Sequence, residues 1–284
     1  MTTPVLETLA ARYPGTPIDI VGDQRSSGVL GGAPWLGEVF HRDKRGGLAA
    51  QLALVRRLRR RRYALAVDLR TPVIPYLLRA RRRLAKHARR GRGPHAVEEH
   101  FAIIEPLVGE QPVPPCRLHV DAAAVQRITP ALAILPAAAR WLALAPGANW
   151  PGKCWPAPSF RALAEQVGAA FDGIVVLGSA ADGAAAAVLA GLAQPCVDLT
   201  GQTDLAAAAA VLAQAAAFVG NDSGLGHMAA ALDVPTVTVF GPGEPERYRP
   251  WGRRTALALA PAGDLTRLDA AQVAGVLLTL LERD

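Results

Sequence analysis

The stretch from Phe218 to Pro245, FVGNDSGLGHMAAALDVPTVTVFGPGEP, constrains the fold of this chain more than any other. It runs an apolar strand, a polar turn, a short helix, a second strand and a Gly-Pro loop in immediate succession. The strand Ala217–Gly220 ends at Asn221-Asp222-Ser223-Gly224, which open a helix over Leu225–Leu232. Asp or Ser at a helix start accepts hydrogen bonds from the first free N–H groups. The N–H groups left over, with the positive end of the helix dipole, favour an anion. His227 falls in the first turn, on the ligand side. The strand Thr236–Phe240 ends in Gly241-Pro242-Gly243, a second backbone-rich loop at the same sheet edge. Two adjacent strand ends converge on one crevice, where open α/β sheets bind ligands. The segment therefore predicts a site for a phosphorylated ligand.

The rest of the chain supports that frame. Its 284 residues suffice for two α/β domains of ordinary size. Strand signals at Ile18–Val21, Leu65–Leu69, Trp141–Ala145, Ile174–Leu177, Val197–Leu199 and Arg254–Leu259 alternate with helical stretches. The helices read as Val5–Arg12, Ala50–Arg62, a segment entered through Pro72 and Pro75 and running to Arg83, and Ala96–Val108, then Ser159–Ala170, Asp182–Leu192, Leu205–Ala215 and Asp269–Glu282. Arg117–Val120 reads as a short strand. This alternation means βαβ units and a parallel sheet. Ala131–Ala139, with Pro130 and Pro136 nearby, reads as the interdomain region, giving domains over 1–135 and 136–284.

Charge is uneven along the chain. The whole carries 31 Lys and Arg against 24 Asp and Glu. Between His41 and His100 the balance is roughly 18 basic to 4 acidic residues. Arg56, Arg57, Arg59, Arg60, Arg61 and Arg62 form one cluster. Arg79, Arg81, Arg82, Arg83, Lys86, Arg89, Arg90 and Arg92 form another. Two readings stand side by side: a solvated face, or a patch for anionic lipid headgroups or a phosphorylated acceptor. No nucleic-acid motif or aromatic stacking pattern accompanies the charge, so nucleic acid is not the expected partner. Cys116, Cys154 and Cys196 are odd in number and lack metal-ligand spacing, which points to reduced thiols in a cytoplasmic protein. Met1-Thr2-Thr3-Pro4 has no basic and apolar leader pattern, and the longest apolar run, Leu205–Val219, is too short to span a bilayer.

A third loop joins the first two. Ala145-Pro146-Gly147-Ala148-Asn149 leaves a strand, and Pro151-Gly152-Lys153-Cys154-Trp155-Pro156 follows just before a helix. Glycines let backbone approach a ligand closely, and Lys153 can offset a diphosphate at short range. A lone lysine would read as a surface charge; beside two strand-end loops it reads as a phosphate ligand. Asp222 is an isolated carboxylate, with no Asp-x-Asp or His cluster to hold a divalent ion. A leaving diphosphate would then be stabilised by backbone N–H groups, Lys153 and His227.

These segments carry a family resemblance. PGANWPGKCWP, DLTGQTDL at Asp198–Leu205, NDSGLGH and FGPGEP occur in the order found in the glycosyltransferase family 9 heptosyltransferases. YALAVDLR at Tyr63–Arg70 and HAVEEHFAII at His95–Ile104 resemble the family's N-terminal segments, so the likeness spans nearly the whole chain. It implies an α/β fold of GT-B type: two Rossmann-like domains with parallel sheets facing a cleft. The N-terminal domain would bind the acceptor and the C-terminal domain the nucleotide sugar. The implied reaction moves heptose from ADP-heptose to a lipid-linked Kdo acceptor of the lipopolysaccharide inner core. It is inverting and uses no metal or other cofactor. The implied place is the cytoplasm, peripheral on the inner face of the inner membrane, where the Arg-rich half would meet an anionic surface.

The resemblance also implies residue roles. Lys153, Asp222 and His227 would form the catalytic set. Lys153 would contact the donor phosphates, Asp222 the sugar hydroxyls, and Ser223 and Gly224 the diphosphate through the helix start. His227 would sit beside that diphosphate, and Thr203 and Asp182 would face the adenosine. Asn149, Gly241, Pro242 and Gly243 complete the nucleotide-sugar set.

Two departures from the family pattern stand out. Gly243 replaces a Thr that usually follows Gly-Pro, so a hydroxyl donor is exchanged for a backbone N–H. The family also begins with an apolar strand and a Gly-Asp turn whose Asp is the expected general base, whereas this chain begins inside what resembles the following helix. Two expectations follow: a start codon lying further upstream, or a short form that binds nucleotide sugar with little transfer. A GT-B transferase using a UDP- or GDP-sugar is the alternative reading of the donor.

Overall fold

The computed structural model describes residues 1–23, 27–43, 46–70, 73–86, 93–136 and 139–283. Pro72, Arg89, Arg90 and Arg92, singled out above, lie outside the described residues. The chain divides into two compact units: Met1–Gly28 with Pro34–Pro114, and Val29–Ala33 with Pro115–Asp284.

In the first unit, β1 (Ile18–Gly22) pairs in parallel with β2 (Leu36–His41), and β3 (Tyr63–Asp68) with β4 (Ala80–Ala85). Among the described residues these are two separate two-stranded sheets. Val5 and Leu9 of the Thr3–Arg12 helix pack with Phe101 and Ile104, and Ile18, Leu65 and Val67 pack against them. Arg61 Nη1 donates to both carboxylate oxygens of Asp19, at 2.9 and 2.7 Å, and ties the approach to β3 onto β1. Arg61 and Arg57 also reach Glu38, at 2.8 and 3.2 Å. Part of the first arginine cluster is therefore spent inside the unit rather than displayed as a patch.

Two expectations for this half are corrected, and one strand is added. The segment through Arg83 is not helical: the helix stops at Leu77, Leu78 is extended (φ −94°, ψ 159°), and Ala80–Ala85 pairs with β3. Arginine is a good helix former, but strand pairing outweighs that weak preference. Ala96–Val108 is broken into Ala96–Phe101 and Glu105–Val108, because Pro106 cannot donate to a continuous helical ladder. Strand β2 was not foreseen.

The second unit holds one six-stranded parallel sheet. Its strands are β5 (Trp141–Ala145), β6 (Gly173–Val176), β7 (Cys196–Asp198), β8 (Ala217–Asn221), β9 (Thr236–Phe240) and β10 (Thr255–Leu259). Their order across the sheet is β10-β9-β8-β5-β6-β7. All six were legible in the sequence to within a residue or two. β5, β6, β8 and β9 are buried along their whole length, as expected of strands covered by helices on both faces. One face packs on Phe160, Leu163, Val273 and Leu277; the other packs on the Ala-rich Leu205–Leu212 helix and on Ala229. Small side chains let those helices lie close to the sheet.

The helix Ala122–Leu132 was missed. Its start was readable, since the Asp121 side chain accepts from the Ala123 N–H at 2.9 Å. Ala124, Ile128 and Leu135 are buried in the second unit's core, so residues 115–135, grouped above with the first domain, pack with the second unit. Arg117–Val120 is extended but forms no ladder; Cys116 and Leu118 each donate a single backbone bond, to Trp251 and Ala231. Cys116, Cys154 and Cys196 are free thiols. Among the described residues no helix is long and apolar enough to cross a membrane.

Candidate functional site

Strand order fixes where a ligand would go. Numbered within the unit, the strands run 3-2-1-4-5-6, and the connections diverge between β5 and β8. That divergence opens a crevice outside the carboxyl ends of the two strands. The loop bearing Lys153 leaves β5, and the Asn221-Asp222-Ser223 turn leaves β8.

The two loops meet at an ion pair. Lys153 Nζ lies 2.5 Å from Asp222 Oδ2, with side-chain exposures of 32% and 9%. Lys153 sits in a 3₁₀ turn, Pro151–Lys153, and its backbone N–H donates to the Trp150 carbonyl at 2.9 Å. Asp222 is held by its own N–H, which donates to the Val239 carbonyl at 3.1 Å. The Gly241–Gly243 loop closes on the same carboxylate: a Cβ at Gly243 would stand 3.1 Å from Asp222 Oδ2 and 3.2 Å from the Phe240 ring.

The helix start differs from the expectation in one respect. The helix is Gly224–Ala231, its N-cap is Ser223, and neither Ser223 nor Asp222 caps it through a side chain. Asp222 turns to Lys153 instead, and Ser223 Oγ is buried without a hydrogen-bond partner among the described residues. The first-turn N–H groups are thus not consumed by the cap residue, and an orphaned hydroxyl lies beside them. Both are suited to an anion's oxygens. His227 is half-buried in this helix.

A second cluster lies at the end of β6. The Asp182 carboxylate accepts from the Ser179 N–H and Oγ at 2.7 and 2.8 Å. It rests against Gly147 of the β5 loop, where a side chain would collide with it. Gly201 lies against Ala180, which brings the Thr200–Thr203 segment alongside. The structure therefore draws Lys153, Asp222, Ser223, Gly224 and Gly243 into one cluster and Asp182 into an adjoining one. Asn149 is exposed two residues beyond Gly147, and Thr203 is half-buried just before the Leu205–Leu212 helix. Among the described residues no group of three or more His, Cys, Asp or Glu side chains is placed to hold a metal ion. The Cys154 thiol, next to Lys153, is pushed up by burial, against a backbone hydrogen bond at Ala148 that pulls it down, with the Asp182 carboxylate adding a smaller push.

Two residues escaped the sequence reading. Asn221 is fully buried at the end of β8. Its Oδ1 accepts from the Trp155 N–H at 2.9 Å, and its Nδ2 donates to the Pro146 carbonyl at 2.7 Å. Trp155 is buried as well, and its indole N–H donates to the Leu268 carbonyl at 3.0 Å. The available signal was an Asn closing an otherwise apolar strand, since a polar side chain in that position must find buried partners.

The family model for glycosyltransferase family 9 (heptosyltransferase) matches residues 53–274. The chain is 24% identical over 279 residues to lipopolysaccharide heptosyltransferase 3 of Escherichia coli K12, covering 88% of this chain and 81% of that protein. It is 41% identical over 116 residues to lipopolysaccharide heptosyltransferase 1 of Pseudomonas aeruginosa, covering 40% of this chain and 32% of that one. Among solved structures, the E. coli ADP-heptose LPS heptosyltransferase II is similar with a TM-score of 0.80 at 24% identity, over 99% of this chain and 94% of that chain. The glycosyl transferase family 9 protein of Veillonella parvula is similar with a TM-score of 0.83 at 20% identity, over 100% and 93%. These structural likenesses bear out the α/β GT-B fold.

Proposed function

The chain belongs to glycosyltransferase family 9, and we propose that its second unit holds ADP-heptose at the β5–β8 divergence and delivers the heptosyl group to a lipopolysaccharide acceptor. As a member of that family it is a glycosyltransferase. The observation that carries the donor assignment is the Lys153–Asp222 pair joining the loops after β5 and β8.

In this reading the acceptor hydroxyl attacks the anomeric carbon, the C–O bond to the diphosphate breaks with inversion, ADP leaves, and the hydroxyl proton passes to solvent water. The charge that develops on the departing diphosphate is met by Lys153 and by the N–H groups of the Gly224–Ala231 helix start. Fixed donors aimed at developing charge are the strongest catalytic device available without a metal. Lys153 carries three N–H donors, and Asp222 takes one of them. The others serve phosphate oxygens, while Asp222 Oδ1 faces sugar hydroxyls. Ser223 Oγ, His227, Gly241, Pro242 and Gly243 line the diphosphate, and Asp182, Thr203 and Asn149 lie toward the nucleoside.

The acceptor we propose is the Kdo-bearing inner core, reached by the enzyme at an anionic membrane surface. What supports the surface contact is the first unit's exterior. Arg81 and Arg82 are exposed on β4, and Val73, Tyr76 and Leu77 just before it are exposed apolar side chains. Cationic and apolar groups together suit an anionic interface.

A transfer assay with ADP-heptose and with UDP- and GDP-linked sugars tests the reaction. Turnover confined to the ADP donor supports it. Equal or faster turnover of a UDP- or GDP-sugar would replace the donor.

A further inference from the structure

We propose that Asn221 is the positioning residue that sets Lys153 in place, a role that rests on the donor reading above. The loop carrying Lys153 leaves the sheet at Pro146 and returns to the core at Trp155. One side-chain amide holds both of those points. Asn221 Nδ2 donates to the Pro146 carbonyl at 2.7 Å, and its Oδ1 accepts from the Trp155 N–H at 2.9 Å. The return point is itself rigid: Trp155 is 1% exposed, meets Phe160 edge-on at 5.0 Å between ring centroids, and bonds the Leu268 carbonyl. Lys153 stands two residues before this anchor, and its partner Asp222 directly follows Asn221 in the chain. A single residue therefore fixes the span of the loop and the origin of the carboxylate that its lysine meets.

The chemistry requires an amide. One acceptor and one donor must face opposite ends of the loop at the same time; Asn and Gln carry both on one rigid amide plane, and neutral His, which also carries both, is a larger ring. Gln is a methylene longer, and the position is fully buried, so it does not fit without displacement. Asp accepts but does not donate when ionised, and Leu fills the volume with neither function. Asn221 has no exposed surface, so its effect on binding passes through Lys153.

The test is a double-mutant cycle with ADP as the probe, using Asn221→Leu, Lys153→Ala and the double variant in the full chain. The expected result is that Asn221→Leu weakens ADP binding roughly tenfold when Lys153 is present and hardly at all when it is absent, since coupled residues are not additive. Equal losses in both backgrounds would overturn the proposal. A ligand-free arm measures amide exchange. The Trp155 N–H should exchange about tenfold faster in Asn221→Leu while the amides of β5 keep their protection. Uniform change across β5 and Trp155 would show a merely structural role. Should Asn221→Leu fail to fold, Asn221→Asp carries the same cycle. Its affinity relative to the parent should recover as pH falls, because the protonated carboxyl regains a donor for Pro146; a flat ratio would count against the assignment. If the unaltered protein binds no ADP, the donor reading fails, and the Trp155 exchange still decides the role of Asn221.

Discussion

Lys153 Nζ and Asp222 Oδ2 stand 2.5 Å apart, although the two residues belong to loops that leave different strands of the sheet. The carboxylate is nearly buried and the ammonium one-third exposed. A buried charge needs a partner, so each residue fixes the other's place. The pair also marks the point where β5 and β8 diverge, which ties the chemistry of the site to the topology of the fold.

Removing the cation should therefore act twice. Lys153→Ala takes a charge from the phosphates and leaves Asp222 unpaired beside them. We expect ADP affinity to fall by about ten- to a hundredfold by isothermal titration calorimetry, with Lys153→Arg recovering part of it. Unchanged affinity would remove Lys153 from the site.

Gly147→Ala should weaken nucleotide binding through Asp182. The new methyl would run into the Asp182 carboxylate, which is already engaged by Ser179 N–H and Oγ. Displacing it disturbs the turn that opens at Ser179, and ADP affinity should drop by roughly tenfold. Gly183→Ala, where a Cβ meets nothing within 4 Å, is the control and should bind ADP normally. A Gly147 variant that binds like this control would detach Asp182 from the site.

The surface proposal is tested by Arg81→Glu with Arg82→Glu. Arg83 is left in place because it donates to the Pro75 and Leu78 carbonyls, both at 3.2 Å, and so supports the turn before β4. Binding to vesicles containing anionic lipid should fall at least about tenfold at low salt. If vesicle binding is the same in both proteins, these arginines are a solvated face.

His100 gives the first unit a pH dependence. Burial first, with the positive charge of Lys86 adding to it, holds its pKa below the ordinary 6.5, and among the described residues its Nδ1 is buried without a partner. A histidine whose folded-state pKa is depressed leaves the unfolded chain to take up the proton first. Its contribution therefore lowers stability as pH falls through and below 6.5 and vanishes above it. Thermal unfolding at pH 7.5 and 5.5 should show a larger loss of Tm in the parent than in His100→Gln. Parallel losses would contradict this account.

The second unit was the more legible half because its strands are short apolar runs bounded by Gly, Pro and Asp. The four central ones, β5, β6, β8 and β9, are buried along their whole length. The first unit hid β2, whose sequence, LGEVFH, mixes polar and apolar residues. It also hid β4, where ARRRLA has helical composition and becomes a strand only by pairing with β3. At the site, glycines and charges announced themselves through motif spacing. Asn221 did not, because its task is set by the Pro146 carbonyl and the Trp155 N–H, which are distant from it in the chain. The side-chain cap read at Asp222 and Ser223 is absent for a similar reason: a tertiary partner, Lys153, claims the carboxylate.

The most direct test of the account is a crystal structure of the protein with ADP-heptose. The account predicts the diphosphate at the start of the Gly224–Ala231 helix, with an oxygen about 3 Å from Lys153 Nζ and the heptose beside Asp222. A nucleotide sugar bound away from the ends of β5 and β8, or one whose phosphates make no contact with Lys153, would contradict it.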